Sequence, residues 1–102
     1  MFPHIWKMTE KEDDKIIGLT IRMLREQKGL LQTEFSLNCQ KSRQQMHEWE
    51  VGKKSPSPYS LLIVVTELGM TRSKFFQIVE SGEAKTYVPK SGRSKKNNSA
   101  LL

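Results

Sequence analysis

At 102 residues the chain is long enough for one hydrophobic core and too short for two. Its single cysteine, Cys39, excludes an internal disulfide and a multi-cysteine metal site. No apolar run near Phe2, Ile5 and Trp6 reaches the length of a signal peptide or a membrane span, so a soluble, cytoplasmic protein is expected, away from membranes. The formal charge of +6 favours a polyanionic partner without choosing among DNA, RNA and a lipid surface, and it is unevenly placed: residues 1–15 carry net −1, residues 16–80 net +3 and residues 81–102 net +4.

Residues 9–28 are free of proline, and Ile17, Ile21 and Leu24 recur at helical spacing with Lys15, Arg22, Arg25 and Glu26 interspersed, which predicts a first helix closed by Gly29. A short second helix is predicted over residues 32–38, with Phe35 and Cys39 facing inward. Its start is poorly capped, since Leu31 stands where a side-chain acceptor is wanted, an omission that costs about 1 kcal/mol. The third helix opens on Ser42, with Gln45 three residues later forming a capping box, and Met46 and Trp49 give it an inward stripe before Gly52 stops it. Lys53, Lys54, Ser55 and Pro56 form a basic loop. Ser57 and Pro58 then start a fourth helix, whose Leu61, Leu62, Val64, Val65 and Leu68 make it the most apolar segment and the expected centre of the fold. After Gly69, Thr71 or Ser73 caps a fifth helix with Phe75, Phe76 and Val79 buried. Beyond Gly82 the composition turns to Lys, Ser, Gly and Asn, with Tyr87 and Val88 the strongest structure formers before the final leucines. The expectation is therefore an all-α domain of five helices over residues 9–80, an amino-terminal extension over residues 1–8, and a flexible basic tail over residues 81–102.

Two short helices joined by a tight turn within five suggest helix-turn-helix architecture, although pattern alone leaves other small bundles open. The residues themselves go further: Ile21-Arg22-x-Leu24-Arg25, Lys28-Gly29-Leu30-x-Gln32-x-Glu34-Phe35, Ser42-Arg43, Trp49-Glu50-x-Gly52-Lys53, Pro56, Leu61-Leu62 and Leu68-Gly69 follow one another in order. Over roughly residues 16–79 this resembles the Cro and phage-repressor helix-turn-helix family, also called the xenobiotic-response-element family. The resemblance implies a lambda-repressor-like DNA-binding domain with residues 43–50 as its recognition helix.

It also implies residue roles. Gln32 matches the family glutamine that, with the amino terminus of the second helix, holds a DNA phosphate, and it would set register. Arg43 and Gln44 open the recognition helix, where their groups suit guanine and adenine; Glu48, one turn on, is placed to accept from a cytosine amine, and Gln45 and His47 are further base-contact candidates. Ser42, Lys53 and Lys54 lie where the family meets the sugar-phosphate backbone. Each has a plainer alternative: Arg43 as a solvated cation or phosphate contact, Gln45 spent on its capping box, Glu48 a spectator whose charge repels phosphate, His47 merely exposed. Arg25 and Glu50 match an ion pair between the first and third helices, an alignment device. Three positions depart from the family pattern. Leu31 and Val51 replace polar phosphate contacts, and Gln40 stands where a turn glycine is usual, so that the turn is either strained or built around Asn38.

The function expected on this basis is a DNA-binding transcriptional regulator, most simply a repressor, acting as a homodimer on an inverted repeat of double-stranded DNA in a bacterial or phage-encoded setting. The alternative is an antitoxin or accessory module that autoregulates its operon while its termini, through Phe2, Ile5, Trp6, Tyr87 and Val88, capture a protein partner. An enzyme is not expected, because two separated histidines, one cysteine and the lack of a phosphate-cradling glycine loop offer no catalytic constellation, metal site or cofactor site.

Overall fold

The computed structural model describes residues 10–90, and the starts of α-helices two to five within it coincide with residues that satisfy a free end group. The five helices are α1 (Glu10–Gln27), α2 (Gln32–Asn38), α3 (Arg43–Glu50), α4 (Pro58–Glu67) and α5 (Arg72–Ser81), followed by one 3-10 turn (Glu83–Thr86), with no strand among the described residues. The amino-terminal extension and the tail beyond Lys90, including the apolar residues expected to capture a partner at the amino terminus, lie outside the described residues.

Ser42, Ser57 and Thr71 each accept a hydrogen bond from the backbone N–H three residues on, at 3.0, 3.1 and 3.1 Å, which fixes the starts of α3, α4 and α5. The start of α2 is better capped than Leu31 suggests. Its side chain has nothing to accept with, but its backbone N–H donates to the Glu34 carboxylate at 2.9 Å, half of a capping box. In the α2–α3 turn Gln40 takes the left-handed conformation at φ 59°, so the strain is tolerated there and Asn38 simply ends α2.

The core gathers Ile21, Met23 and Leu24 of α1, Phe35 of α2 with Cys39, Met46 and Trp49 of α3, Leu61, Val64 and Val65 of α4 with Leu68, and Phe75 of α5. α1, and not the more apolar α4, is the hub: it packs on α3, α5 and the 3-10 turn, whereas α4 packs chiefly on α5 and turns Tyr59 and Leu62 outward. Phe76 and Val79 are only half-buried and pack against the edge of the core. Thr20 is buried without penalty, since its hydroxyl donates to the Ile16 carbonyl at 2.7 Å.

Two glycines set the contact that matters most for α3. A Cβ on Gly18, in the middle of α1, would stand 1.9 Å from the Trp49 carbonyl oxygen, and one on Gly52 would stand 2.8 Å from the Lys15 Cα. The carboxyl end of α3 therefore rests directly on the α1 backbone, and no side chain fits between them.

The fold also continues past residue 80, where the sequence reading ended it. The turn Glu83–Thr86 buries Ala84, the Tyr87 hydroxyl donates to Glu26, and the backbone N–H of Lys90 donates to the same carboxylate at 2.9 Å. What reads as a polar tail is, through Lys90, a segment packed on α1.

Candidate nucleic-acid interface

α3 has two faces, set by its apolar spacing. Met46 and Trp49 are buried in the core, which anchors the helix, and Arg43, Gln44, Gln45 and His47 are left exposed, with Glu48 half-buried beside them. Ser42 caps the helix while its own N–H donates to the Gln45 side-chain oxygen at 3.3 Å, so Gln45 keeps its amide N–H groups free but not its carbonyl.

The outward residues are already linked to one another. Gln44 donates to Glu48 at 3.1 Å, and the Lys54 ammonium stands 3.5 Å from the other Glu48 oxygen. The hydrogen bond from Gln44, and after it the charge of Lys54, hold the Glu48 carboxyl below its usual range against partial desolvation, so it is an anion at neutral pH. The loop after α3 is fastened from behind, since the backbone N–H groups of Lys53 and Lys54 both donate to the Glu48 carbonyl, at 2.9 and 3.2 Å. Lys53 and Lys54 are exposed, and Lys54 divides its charge between solvent and Glu48.

Behind this surface lies a buried polar network. Arg25 meets Glu50 in a bidentate pair, Nε to Oε2 at 2.7 Å and a terminal nitrogen to Oε1 at 2.9 Å, and donates a third bond to the Leu30 carbonyl at 2.7 Å. With the two side chains 7% and 1% exposed, the pair ties the end of α3 to α1 and, through Leu30, to the loop before α2. Glu50 Oε1 also accepts from the Gln32 amide at 3.0 Å, and the Gln32 carbonyl oxygen receives a long contact of 3.5 Å from Arg43. Gln32 is thus held between α3's two ends with one amide N–H to spare. Leu31 and Val51, exposed at the cap positions of α2 and α3, add apolar surface beside it.

The structure therefore brings Gln32, Arg43, Gln44, His47, Glu48, Lys53 and Lys54 to one region built from α2, α3 and the loop that follows. The roles of three contributors are not read from the sequence. Glu34 had a signal in its position three residues after the helix start. Gly18 had one as a lone glycine inside a helical pattern, and Glu26 had one in its four-residue spacing from Arg22. Among the described residues no helix is long and apolar enough to cross a membrane, and no group of three or more His, Cys, Asp or Glu is placed to hold a metal ion.

No curated protein and no solved structure gives a match to the chain. A family model described as Helix-turn-helix matches residues 21–75, which is more than half of the sequence and takes in α1 from Ile21, the α2–turn–α3 unit with its Arg25–Glu50 tie, and the core of α4 and α5. The chain belongs to the Cro- and phage-repressor-type helix-turn-helix family of DNA-binding proteins.

Proposed function

We propose that the protein is a sequence-specific repressor that binds double-stranded DNA as a homodimer, laying α3 of each copy in the major groove of one half of an inverted repeat. As a helix-turn-helix protein it is a DNA-binding transcription regulator. The observation that carries the finer reading is the outward presentation of Arg43, Gln44 and His47 from a helix whose other face is locked into the core by Met46 and Trp49. A second copy is required because one recognition helix reads too few base pairs for selectivity in a genome. The proposed activity is binding alone, without catalytic step, metal or cofactor.

In this reading Arg43 donates to guanine, and Gln44 offers its carbonyl and its remaining N–H to adenine while Glu48 steadies the amide from behind. His47 and the free amide of Gln45 border the same bases. The spare N–H of Gln32 and the ammonium of Lys53 meet phosphates; Lys54 does so more weakly because Glu48 shares it, and Ser42, its hydroxyl already accepting from Gln45, contributes by its placement at the helix start.

The test is binding to an inverted-repeat duplex as a function of salt. Arg43→Ala and Gln44→Ala should each lose about 1–3 kcal/mol of discrimination at one symmetric pair of bases. Lys53→Ala should weaken all sequences alike and reduce the salt slope by about one, and Lys54→Ala by less. Full selectivity in both the arginine and the glutamine variants would refute the readout assignment.

A further inference from the structure

Glu26 stands on α1 between the proposed DNA-binding face and the chain's last described segment. Its side chain is 8% exposed, and both carboxylate oxygens are occupied. Oε1 accepts from the Tyr87 hydroxyl and from the Lys90 backbone N–H at 2.9 Å, and Oε2 accepts from Arg22 Nε at 2.9 Å. Arg22 in turn donates to the Lys90 carbonyl, so residues 87–90 are fastened to α1 at three points. Burial, and then the bond to Glu26, push the Tyr87 hydroxyl up to about 12, which keeps it a donor at neutral pH.

The nearest other donor to Glu26 is Arg25, whose terminal nitrogen lies 3.7 Å from Oε2. That nitrogen is the one that donates to Glu50 Oε1, the oxygen that also holds Gln32. Two carboxylates thus stand within reach of one buried guanidinium, and Arg25 serves Glu50 while Glu26 is satisfied by Arg22, Tyr87 and Lys90. If Tyr87 and Lys90 were withdrawn, the carboxylate would draw on Arg25, and a swing of that guanidinium would loosen Glu50, then Gln32 and its contact with Arg43.

We propose that Glu26 is a positioning residue for DNA recognition and that residues 83–90 form a strap which, by saturating Glu26, leaves Arg25 to Glu50 and so sets the stance of Gln32 and Arg43. The functional half of this inference rests on the DNA-binding reading above; the structural half concerns the free protein.

The experiment uses the full chain and the variants Tyr87→Phe, Glu26→Gln and their combination. In the free protein, the NMR signals of the Arg25 Nε–H and the Gln32 side-chain amide should move in Tyr87→Phe and return toward the parent positions in the double variant, because a neutral amide at position 26 keeps an acceptor for Lys90 but no longer attracts Arg25. Binding to the operator duplex, well below the melting temperature, should fall about fivefold in Tyr87→Phe and recover in the double variant. A strap that served stability alone would instead make the double variant worse than either single one, with the Arg25 and Gln32 signals unmoved in Tyr87→Phe; that outcome overturns the proposal. Should the parent bind no duplex at all, the DNA reading fails while the NMR arm still decides whether the strap controls Arg25.

Discussion

Replacing Gly18 by alanine sets two opposite effects against each other, and the structure decides between them. Alanine inside a helix is favoured over glycine by about 0.5–1 kcal/mol, so at an open position the change would stabilise α1. At Gly18 the added Cβ would stand 1.9 Å from the Trp49 carbonyl oxygen and 2.9 Å from that of Glu50. A tolerable carbon–oxygen contact is about 3.3–3.6 Å, so the end of α3 must retreat by more than an ångström. Both opposing atoms are backbone, and Trp49 is fixed in the core, so no side-chain rotation relieves the overlap. Overpacking of this kind costs about 1–3 kcal/mol, and retreat of α3 also pulls on the bidentate Arg25–Glu50 pair, whose rupture would cost about 3–5 kcal/mol. The net is a loss of about 2 kcal/mol or more, which for a domain of this size lowers the melting temperature by about 8–16 °C. Urea denaturation should show the midpoint falling with little change in slope, and operator binding should weaken because the recognition helix has moved. A midpoint equal to or above that of the parent would refute the close contact of α1 with α3.

Gln40→Gly should do the reverse, raising stability by about 1 kcal/mol as the left-handed turn at φ 59° loses its strain; an unchanged or lower urea midpoint would contradict it. Glu26 and Tyr87 predict opposite pH limits. Burial alone would raise the Glu26 carboxyl, but the Lys90 amide, Tyr87 and Arg22 outweigh it and hold it low, so its stabilisation is present above the ordinary carboxylate range and lost as pH falls through its folded pKa. Tyr87, raised from 10.0 to about 12, contributes fully below the first value and loses its contribution as pH rises through the second, so the gap in urea midpoint between parent and Tyr87→Phe should close over that alkaline window. Cys39, whose thiol is pushed up to about 11 by burial and then by the charge of Glu67, should resist thiol reagents at about pH 8 until the chain is unfolded in urea.

Where a helix boundary depends on neighbouring residues, it was legible in the sequence. Ser42 with Gln45, Ser57 with Pro58, and Thr71 as one of two caps offered for α5 mark starts by chemistry that acts within one turn, and the Met46–Trp49 spacing tells which face of α3 is buried. The central place expected of α4 was misjudged because hydropathy does not register that Gly18 lets α1 approach α3 closely. The stretch from Glu83 to Lys90 was misjudged for a related reason. Its composition is polar, and what orders residues 87–90 is a carboxylate 61 residues earlier in the chain, a partnership with no local trace. The site shows the same division. That Arg43, Gln44 and His47 belong to the exposed side of α3 follows from periodicity, and the match between Arg25 and Glu50 came from family resemblance. Glu48 as the partner of Gln44, and Glu50 as the partner of Gln32, depend on side-chain geometry that spacing does not specify.

The most direct measurement is selection of preferred duplexes from a randomised DNA pool by the parent protein and, separately, by its Arg43→Ala and Gln44→Ala variants. The parent should enrich an inverted repeat with half-sites about 34–36 Å apart or a multiple of that distance, and each variant should relax the preference at one symmetric pair of positions while leaving the others intact. Enrichment of no sequence by the parent, or of the same sequence by all three proteins, would contradict the claim that α3 reads DNA through these side chains.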